Sequence, residues 1–206
     1  VVLNATGPWA DQTRRMSMAS AAPQLAPSKG IHLVVPRLTQ GALFVQARAD
    51  GRMLFLLPWG DYSLVGTTET AVDGALESLS ASADEVGYLL EETNRLVPGA
   101  HLDDGDIIAT FAGARPLLAG AKASTHASRE HRIDVDSRGL VSVMGGKFTT
   151  YRLMAQQAVD LIVRQARWTS DRCLTSQVSL LEMIQPVSLA HWQDLTRTVE
   201  PDLLAR

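Results

Sequence analysis

The sequence contains little of what marks several large classes of protein. Its single cysteine, Cys173, cannot form an internal disulfide, which suits a reducing compartment. Lys and Arg number 19 against 22 Asp and Glu, a net charge of −3, so the basic excess typical of nucleic-acid binders is missing. No apolar stretch approaches the roughly 20 residues that a membrane-spanning helix needs. These absences argue against a disulfide-rich scaffold, a nucleic-acid partner and a transmembrane segment.

Several catalytic patterns are missing too. There is no Gly-x-Ser-x-Gly elbow of the kind that carries a nucleophilic serine. His126 and His131 lack the spacing of a helical metal-binding pair, and no cysteine or carboxylate cluster supports them, so we expect no metal site. The pair Gly146-Lys147 would belong to an NTPase phosphate loop only with glycine at Val141 and Ser or Thr at Phe148. This argues against a nucleoside triphosphatase.

The apolar content is sufficient for a folded core. Apolar residues make up 46% of the 206 residues, which suits one large domain or two small ones. The opening "VVLNATGPWADQTRRM" predicts a short buried strand, a turn and a short helix near Pro8. A strand-rich block follows, with "GIHLVVP", "ALFVQA", "RMLFLLP" and "YSLVGTT". Because "RMLFLLP" is apolar throughout, we expect both of its faces to be covered.

The second half predicts two helices around another hairpin. Ser82 and Glu85 have the spacing of a capping box, and Pro98-Gly99 ends the helix that they begin. "DIIATFAGARPLL" predicts a strand, and "HRIDVDSRGLVSVMGG" a hairpin turning at Asp136 to Gly139. A short helix is predicted near Ser188 to Arg197. The long helix that follows the hairpin is predicted to bury Tyr151, Met154, Ala155, Ala158, Leu161 and Ile162.

The joint between the hairpin and the long helix carries the densest candidate chemistry. "GGKFTT" places Gly145, Gly146, Lys147, Thr149 and Thr150 directly before the helix. A helix N-terminus exposes unpaired N–H groups and a partial positive charge, and glycines let a ligand approach the backbone. The joint therefore suits a phosphate, a carboxylate or a polar ring edge. The alternative is a tight strand-to-helix connection capped by its threonines.

Other polar residues stand out in strand-like segments. Arg115 in "FAGARPL" is either a forked anion binder or a surface charge. Arg129 and His131 in "SREHRI" are two residues apart and so face the same side of a strand. "PSKGIHLVV" offers Lys29 and His32.

Six stretches together carry a resemblance that none carries alone. In order along the chain they are "NATGPWAD", "PSKGIHLVVPR", "FLLPWGDYSLVGTTET", "FAGARPLL", "SREHRI" and "GLVSVMGGKFTTYRLMAQQAVD". The set resembles the FAD-dependent glycerol-3-phosphate dehydrogenases, within the wider D-amino-acid-oxidase-like flavoprotein group. It covers residues 1 to about 165. The resemblance favours a cofactor site over a plain connection at the joint.

The resemblance implies an α/β fold, a partial FAD-binding Rossmann-like domain with an inserted antiparallel-sheet substrate domain. We expect residues 1–18 and 116–166 to belong to the FAD-binding domain, 19–115 to the insert, and 167–206 to a C-terminal helical region. The implied reaction is hydride transfer from sn-glycerol 3-phosphate to flavin N5, giving dihydroxyacetone phosphate. Electrons then pass to a quinone, or to oxygen in related oxidases.

The resemblance also assigns roles to residues. Gly145 and the run Gly146, Lys147, Phe148 and Thr149 match the family's contact with the flavin's pyrimidine edge. Ala5, Thr6 and Gly7 match a stretch near the dinucleotide. Arg115 matches an arginine over the flavin beside the substrate, while Arg129 and His131 match residues that line the substrate pocket. Arg115, Arg129 and Lys147 are the candidates to bind the phosphate dianion, and Arg115 and Lys147 are the catalytic candidates.

The sequence departs from the family in one major respect, because no Gly-x-Gly-x-x-Gly follows any strand. The chain also begins inside an apolar run at Val1, so we expect a piece of a longer protein that binds FAD poorly and is inactive alone. An amine or amino-acid oxidase of the same group and a non-catalytic ligand-binding module are the alternative functions. The resemblance implies a cytoplasmic location or the cytoplasmic face of the inner membrane; it leaves peripheral membrane contact and a homodimer open.

Overall fold

The computed structural model describes residues 1–72, 74–120 and 130–179. The chain divides into two compact units, Val1–Trp168 and Thr169–Arg206. The strands are β1 (Val2–Asn4), β2 (Ser28–Pro36), β3 (Leu43–Gln46), β4 (Met53–Trp59), β5 (Tyr62–Gly66), β6 (Thr70–Ala71), β7 (Ala109–Arg115), β8 (His131–Val135) and β9 (Leu140–Gly145). The helices are α1 (Ala10–Ser17), α2 (Ala83–Leu96) and α3 (Tyr151–Ala166). The helix predicted near residues 188–197 lies outside the described residues.

The small sheet joins the two ends of the first unit. β1 pairs in parallel with β9, and β9 pairs antiparallel with β8. The β8–β9 turn lies where it was predicted, at Asp136 to Gly139. Asp136 Oδ1 stabilises the turn by accepting hydrogen bonds from the amides of Arg138 and Leu140 at 2.8 and 2.9 Å. Gly139 completes the turn at a φ of 84°, which favours glycine. Strands from the start and the end of this unit are therefore neighbours.

The large sheet is formed by the residues between those strands. It has the order β3-β4-β5-β2-β6, and β7 pairs with the other edge of β2. All of its pairs are antiparallel. The β4–β5 turn is the predicted hairpin, with Trp59 paired to Tyr62. Together the two sheets confirm the predicted α/β class with an inserted antiparallel sheet; the exact domain boundaries stay predictions.

The core lies between one face of the large sheet and α2. Its fully or largely buried members are Ile31, Leu33, Val35, Ala47, Leu54, Leu56, Val65, Leu89, Leu90 and Leu102. The predicted capping box begins α2: the Ser82 amide donates to Glu85 Oε2 at 3.0 Å, and Ser82 Oγ accepts from the Glu85 amide at 3.4 Å. The opposite face of the large sheet is therefore the one left for other contacts.

The buried Glu85 carboxylate also links α2 to the sheet. It pairs with Lys29 Nζ at 2.7 Å and accepts from the Thr70 hydroxyl at 2.8 Å. Burial pushes the pKa of Glu85 upward, but the hydrogen bonds from Lys29, Ser82 and Thr70 outweigh it and bring that pKa down to about 2. The carboxylate is thus held ionised as part of the helix–sheet contact.

Three predictions about burial were wrong. β4 buries Leu54 and Leu56 but leaves Phe55 38% exposed, because the described residues cover only one face of the large sheet. Val2 of β1 is 64% exposed, since this strand lies at the sheet edge with β9 on one side. Of the stripe predicted for α3, Ala158 is buried while Tyr151 is half exposed. Apolar pattern alone did not show which faces would be covered.

No helix in the described ranges is long and apolar enough to cross a bilayer.

Candidate functional site

Two of the predicted segments meet at one edge of the small sheet. Because β1 and β9 are parallel, with Asn4 paired to Ser142, their carboxyl ends lie side by side. The loop Ala5–Gly7 follows β1, and Gly145 ends β9. Buried Asn4 fixes this edge: its Nδ2 donates to Ala10 O at 2.9 Å, and its Oδ1 accepts from the Thr6 hydroxyl at 2.7 Å. In open α/β sheets ligands bind outside the carboxyl ends of the strands.

The two glycines of the joint have no room for side chains. Gly145 and Gly146 adopt φ values of 73° and 85°, which other residues rarely adopt. A Cβ on Gly145 would lie 2.5 Å from the carbonyl oxygen of Glu130, and one on Gly146 would lie 2.5 Å from the sulfur of Met154. The absence of side chains is therefore a requirement of this connection, because protein atoms fill the space that each Cβ would take.

The start of α3 keeps backbone donors available. The Lys147 amide donates to Thr150 Oγ1 at 3.1 Å, and the Thr150 amide donates to Lys147 O at 3.0 Å. Within the described part of the chain, the amides of Phe148 and Thr149 have no hydrogen-bond acceptor. The Lys147 and Thr149 side chains are exposed, and that of Phe148 is 92% exposed. Two free amides and a lysine are suited to an anion or a carbonyl oxygen.

His131 belongs to the same cluster. It opens β8 directly opposite Gly145, and its Cβ is 3.2 Å from where a Cβ on Gly146 would stand. Its Nε2 lies 2.6 Å from Gln157 Oε1 on α3, which fixes the ring. Arg129, predicted beside it, lies outside the described residues.

Arg115 is a half-buried cation on the open face of the large sheet. It ends β7 opposite Ser28. Its Nη2 donates to Thr67 Oγ1 at 2.9 Å and to Thr68 O at 3.1 Å. The guanidinium lies over Gly30, where a Cβ would come within 2.2 Å of Nη2 and 2.6 Å of Cζ. The structure thus fixes Arg115 on the sheet, as an anion binder would require.

The structure brings His32 beside Arg115, a pairing that the sequence did not predict. His32 lies on the same face, between Phe111 of β7 and Gly66 of β5 in the strand register. Burial, and then the Arg115 charge, lower the pKa of His32, and both effects favour the neutral imidazole. A neutral imidazole next to a cation can accept a proton from a bound hydroxyl.

Lys29, offered by the same segment as His32, belongs elsewhere. Three residues apart on β2, the two side chains point to opposite faces. Lys29 faces the core side and pairs with Glu85. Their odd separation in sequence already indicated that Lys29 and His32 lie on opposite faces of the strand. Only the pairing of β2 with β5 and β7 showed which residues lie beside His32.

The two clusters are connected through the chain that joins the sheets. The turn Gly7–Trp9 packs against both β7 and β9. Beyond Arg115, the chain returns to the joint, where Leu118 Cγ is 3.2 Å from where a Cβ on Gly145 would stand. The arrangement offers a fixed cation, a neutral imidazole and free backbone amides within one unit.

Comparison with known proteins places this arrangement in a family. Residues 1–161 match the FAD-dependent oxidoreductase family. The chain is 36% identical to a glycerol-3-phosphate dehydrogenase of Synechocystis sp. over 191 residues, 85% of this chain and 34% of that protein. It is 37% identical to the mitochondrial glycerol-3-phosphate dehydrogenase of Homo sapiens over 169 residues, 79% of this chain and 23% of that protein.

A solved structure agrees with these matches. The glycerol-3-phosphate dehydrogenase of Bacillus halodurans, solved in complex with FAD, superposes with a TM-score of 0.74 at 31% identity, covering 84% of this chain and 34% of that one. The chain therefore spans between about a quarter and a third of the length of these relatives. Family match and fold agree, and the chain belongs to the FAD-dependent oxidoreductase family.

Proposed function

We propose that the intact protein oxidises sn-glycerol 3-phosphate to dihydroxyacetone phosphate with FAD as its cofactor. The observation that carries the proposal is the pairing of Arg115 and His32 on one open face, beside a chain that returns to Gly145. A phosphomonoester alcohol needs both functions, a cation for its dianion and a base for its hydroxyl. The similarity to named glycerol-3-phosphate dehydrogenases supports the same substrate.

The residues at the joint fit the flavin end of FAD. Gly145 and Gly146 present bare backbone, and the amides of Phe148 and Thr149 have no acceptor among the described residues. We assign Gly146, Lys147, Phe148 and Thr149 to the flavin's polar edge and the loop Ala5–Gly7 to the dinucleotide. Bound FAD would supply the acceptor for the hydride that leaves the carbinol carbon. The positive end of α3 and Lys147 favour negative charge at this edge.

The substrate's phosphate needs more than one cation. Arg115 is held against the sheet by Thr67 and Thr68, so its position costs little further ordering when an anion binds. We assign Lys147 and Arg129 as further phosphate-binding cations and His131 as a residue that lines the pocket. Phosphate binding by these groups orients the carbinol carbon for reaction.

His32 supplies the proton transfer in this proposal. Its neutral imidazole accepts the proton of the carbinol hydroxyl while the C–H bond breaks, so the hydroxyl becomes the ketone of the product. The adjacent Arg115 charge favours the neutral form of His32 before reaction and stabilises the developing alkoxide.

Anaerobic substrate titration tests the proposed function. The intact protein carrying FAD should lose its flavin absorbance on addition of sn-glycerol 3-phosphate, and amino acids should leave the absorbance unchanged. Bleaching by amino acids alone would favour the amine or amino-acid oxidase alternative. Arg115→Ala should lower kcat/KM by about 10²- to 10³-fold. The control Arg164→Ala removes an exposed cation from α3 and should have no such effect. Equal activity of both variants would favour a non-catalytic binding module.

We further propose a quinone as the electron acceptor, reached by peripheral contact with the cytoplasmic face of the inner membrane. Turnover with a soluble quinone analogue should exceed the rate of hydrogen peroxide formation in air. Co-sedimentation with membrane vesicles tests the attachment, and a faster reaction with oxygen would instead indicate an oxidase.

A further inference from the structure

A row of side chains crosses the open face of the large sheet. The strand register places Phe111, His32, Gly66, Phe55 and Phe44 directly opposite one another on β7, β2, β5, β4 and β3. The row is aromatic except at Gly66. His32 stands beside this gap. At the far end of the row, the Phe44 ring packs against that of Phe55, with centroids 4.6 Å apart and planes tilted by 36°.

The gap at Gly66 is filled by the imidazole of His32. A Cβ on Gly66 would lie 2.2 Å from Cδ2 and 2.7 Å from Nε2 of that ring, closer than atoms can approach. On the other side, the Phe111 ring stacks on the imidazole with centroids 5.0 Å apart and planes inclined by 15°. The imidazole is thus held between a bare backbone and an aromatic face.

Packing alone orients this ring. Among the described residues, no side chain or backbone group hydrogen-bonds to either nitrogen of His32. His131, in contrast, is fixed by Gln157 at 2.6 Å. Both nitrogens of His32 are therefore available to a ligand, but nothing except the neighbours on either side limits rotation of the ring.

We propose that Phe111 and Gly66 are positioning residues that form a slot for the His32 imidazole in the proposed oxidation. The inference rests on the proposed function for its kinetic consequence but on the strand register for its geometry. Phe111 acts only through His32: its ring closes one side of the slot, and the absence of a side chain at Gly66 provides the other.

The slot has two consequences that can be measured. It limits the orientations of the ring, and so the directions in which its nitrogens can meet a bound hydroxyl, and the Phe111 ring covers one face of the imidazole. Arg115 is the charged group that acts on His32 in the described part of the chain. Removing the Phe111 ring would leave the Arg115 charge in place but re-solvate the imidazole, so the pKa of His32 should rise toward its ordinary value of 6.5.

The experiment compares Phe111→Leu, Phe111→Tyr and Phe44→Leu in the intact FAD-loaded protein. Phe111→Leu should lower kcat by about ten-fold, with a smaller change in KM, because a base that is misoriented loses part of its contribution. The acid limb of the kcat–pH profile should move to higher pH. Phe111→Tyr keeps the aromatic ring and should therefore retain the wild-type kcat and pH profile. Phe44→Leu, at the far end of the row, should change neither kcat nor the pH profile.

NMR titration of the His32 imidazole separates the inference from the proposed function. A higher pKa in Phe111→Leu than in the wild type or Phe44→Leu supports the slot even if glycerol 3-phosphate is not the substrate. An unchanged pKa together with an unchanged kcat overturns it. If Phe111→Tyr lowers kcat as much as Phe111→Leu does, the proposal is overturned as well, because the aromatic ring would then not be what positions His32.

Discussion

Substitution of Gly30 by alanine should displace the Arg115 side chain although Arg115 itself is not mutated. Gly30 lies on β2 beneath the guanidinium, opposite Gly113 in the strand register, and the atoms nearest to an added methyl group belong to the side chains of Arg115 and Thr67. The methyl carbon would stand 2.2 Å from Nη2 and 2.6 Å from Thr67 Oγ1. The side chain of Arg115 would therefore have to leave the position that Thr67 and Thr68 hold.

The size of the effect follows from the distances. Ordinary van der Waals contact begins near 3.4 Å, so the guanidinium must shift by more than about 1 Å to accommodate the methyl group. A misplacement of that size in a catalytic site costs about 10²-fold in rate, or about 2.7 kcal/mol of transition-state stabilisation. The loss should fall on kcat/KM for sn-glycerol 3-phosphate, because Arg115 contacts the substrate in the proposed function.

Gly113 provides a matched control. It is the direct cross-strand partner of Gly30 on β7, on the same face of the sheet, and a Cβ there would meet nothing within 4 Å. Steady-state kinetics of the two alanine variants in the intact protein, with thermal melting to confirm folding, compare them directly. We expect Gly113→Ala to retain nearly full activity. Equal kinetics for the two variants would show that activity does not depend on the position of Arg115. That result would refute the proposed role of Arg115 in phosphate binding.

Three further predictions concern stability, charge and the chain itself. Glu85→Gln should lower the free energy of unfolding by about 3 kcal/mol at pH 7, since the folded-state pKa of about 2 lies below the ordinary 4.5; this stabilisation is complete above pH 4.5 and is lost as the pH falls toward 2. Urea unfolding measures it, and Glu91→Gln, on the exposed side of α2, should change little. Lys147→Met should raise KM for sn-glycerol 3-phosphate and lower kcat/KM by at least about ten-fold, whereas Lys147→Arg should retain most of the binding; equal values for both variants would refute a role for the charge. The 206-residue chain alone should be colourless after purification with added FAD, because its sequence has no Gly-x-Gly-x-x-Gly; a yellow chain that reduces a dye with glycerol 3-phosphate would contradict this.

Local features of the fold were predictable from the sequence. The capping box at Ser82 and Glu85, the hairpin at Asp136 to Gly139 and the joint at Gly145 depend on residues close together in the chain. Backbone preference and short-range hydrogen bonds determine such features, and both can be recognised in a few residues.

The pairing of His32 with Arg115 was not predictable in the same way. It depends on the register of β2 with β5 and β7, strands that are distant in sequence and whose alignment no local pattern specifies. Burial of β4 was mispredicted for a related reason: a run that is apolar on both faces does not show whether a second layer covers each face, and Phe55 is exposed. Sequence alternation indicates which residues share a face, but not what lies opposite them.

The strand glycines have a consequence for how this sheet can change. Glycine in a strand interior weakens it, so selection for thermostability alone would favour filling these positions with β-formers. Gly113 has open space above it and would be replaced early, whereas Gly30 and Gly66 are occupied by the side chains of Arg115 and His32. In a library selected only for heat resistance, variants that keep Arg115 and His32 should therefore retain glycine at positions 30 and 66. Variants in which Arg115 or His32 has been replaced should be able to lose the corresponding glycine.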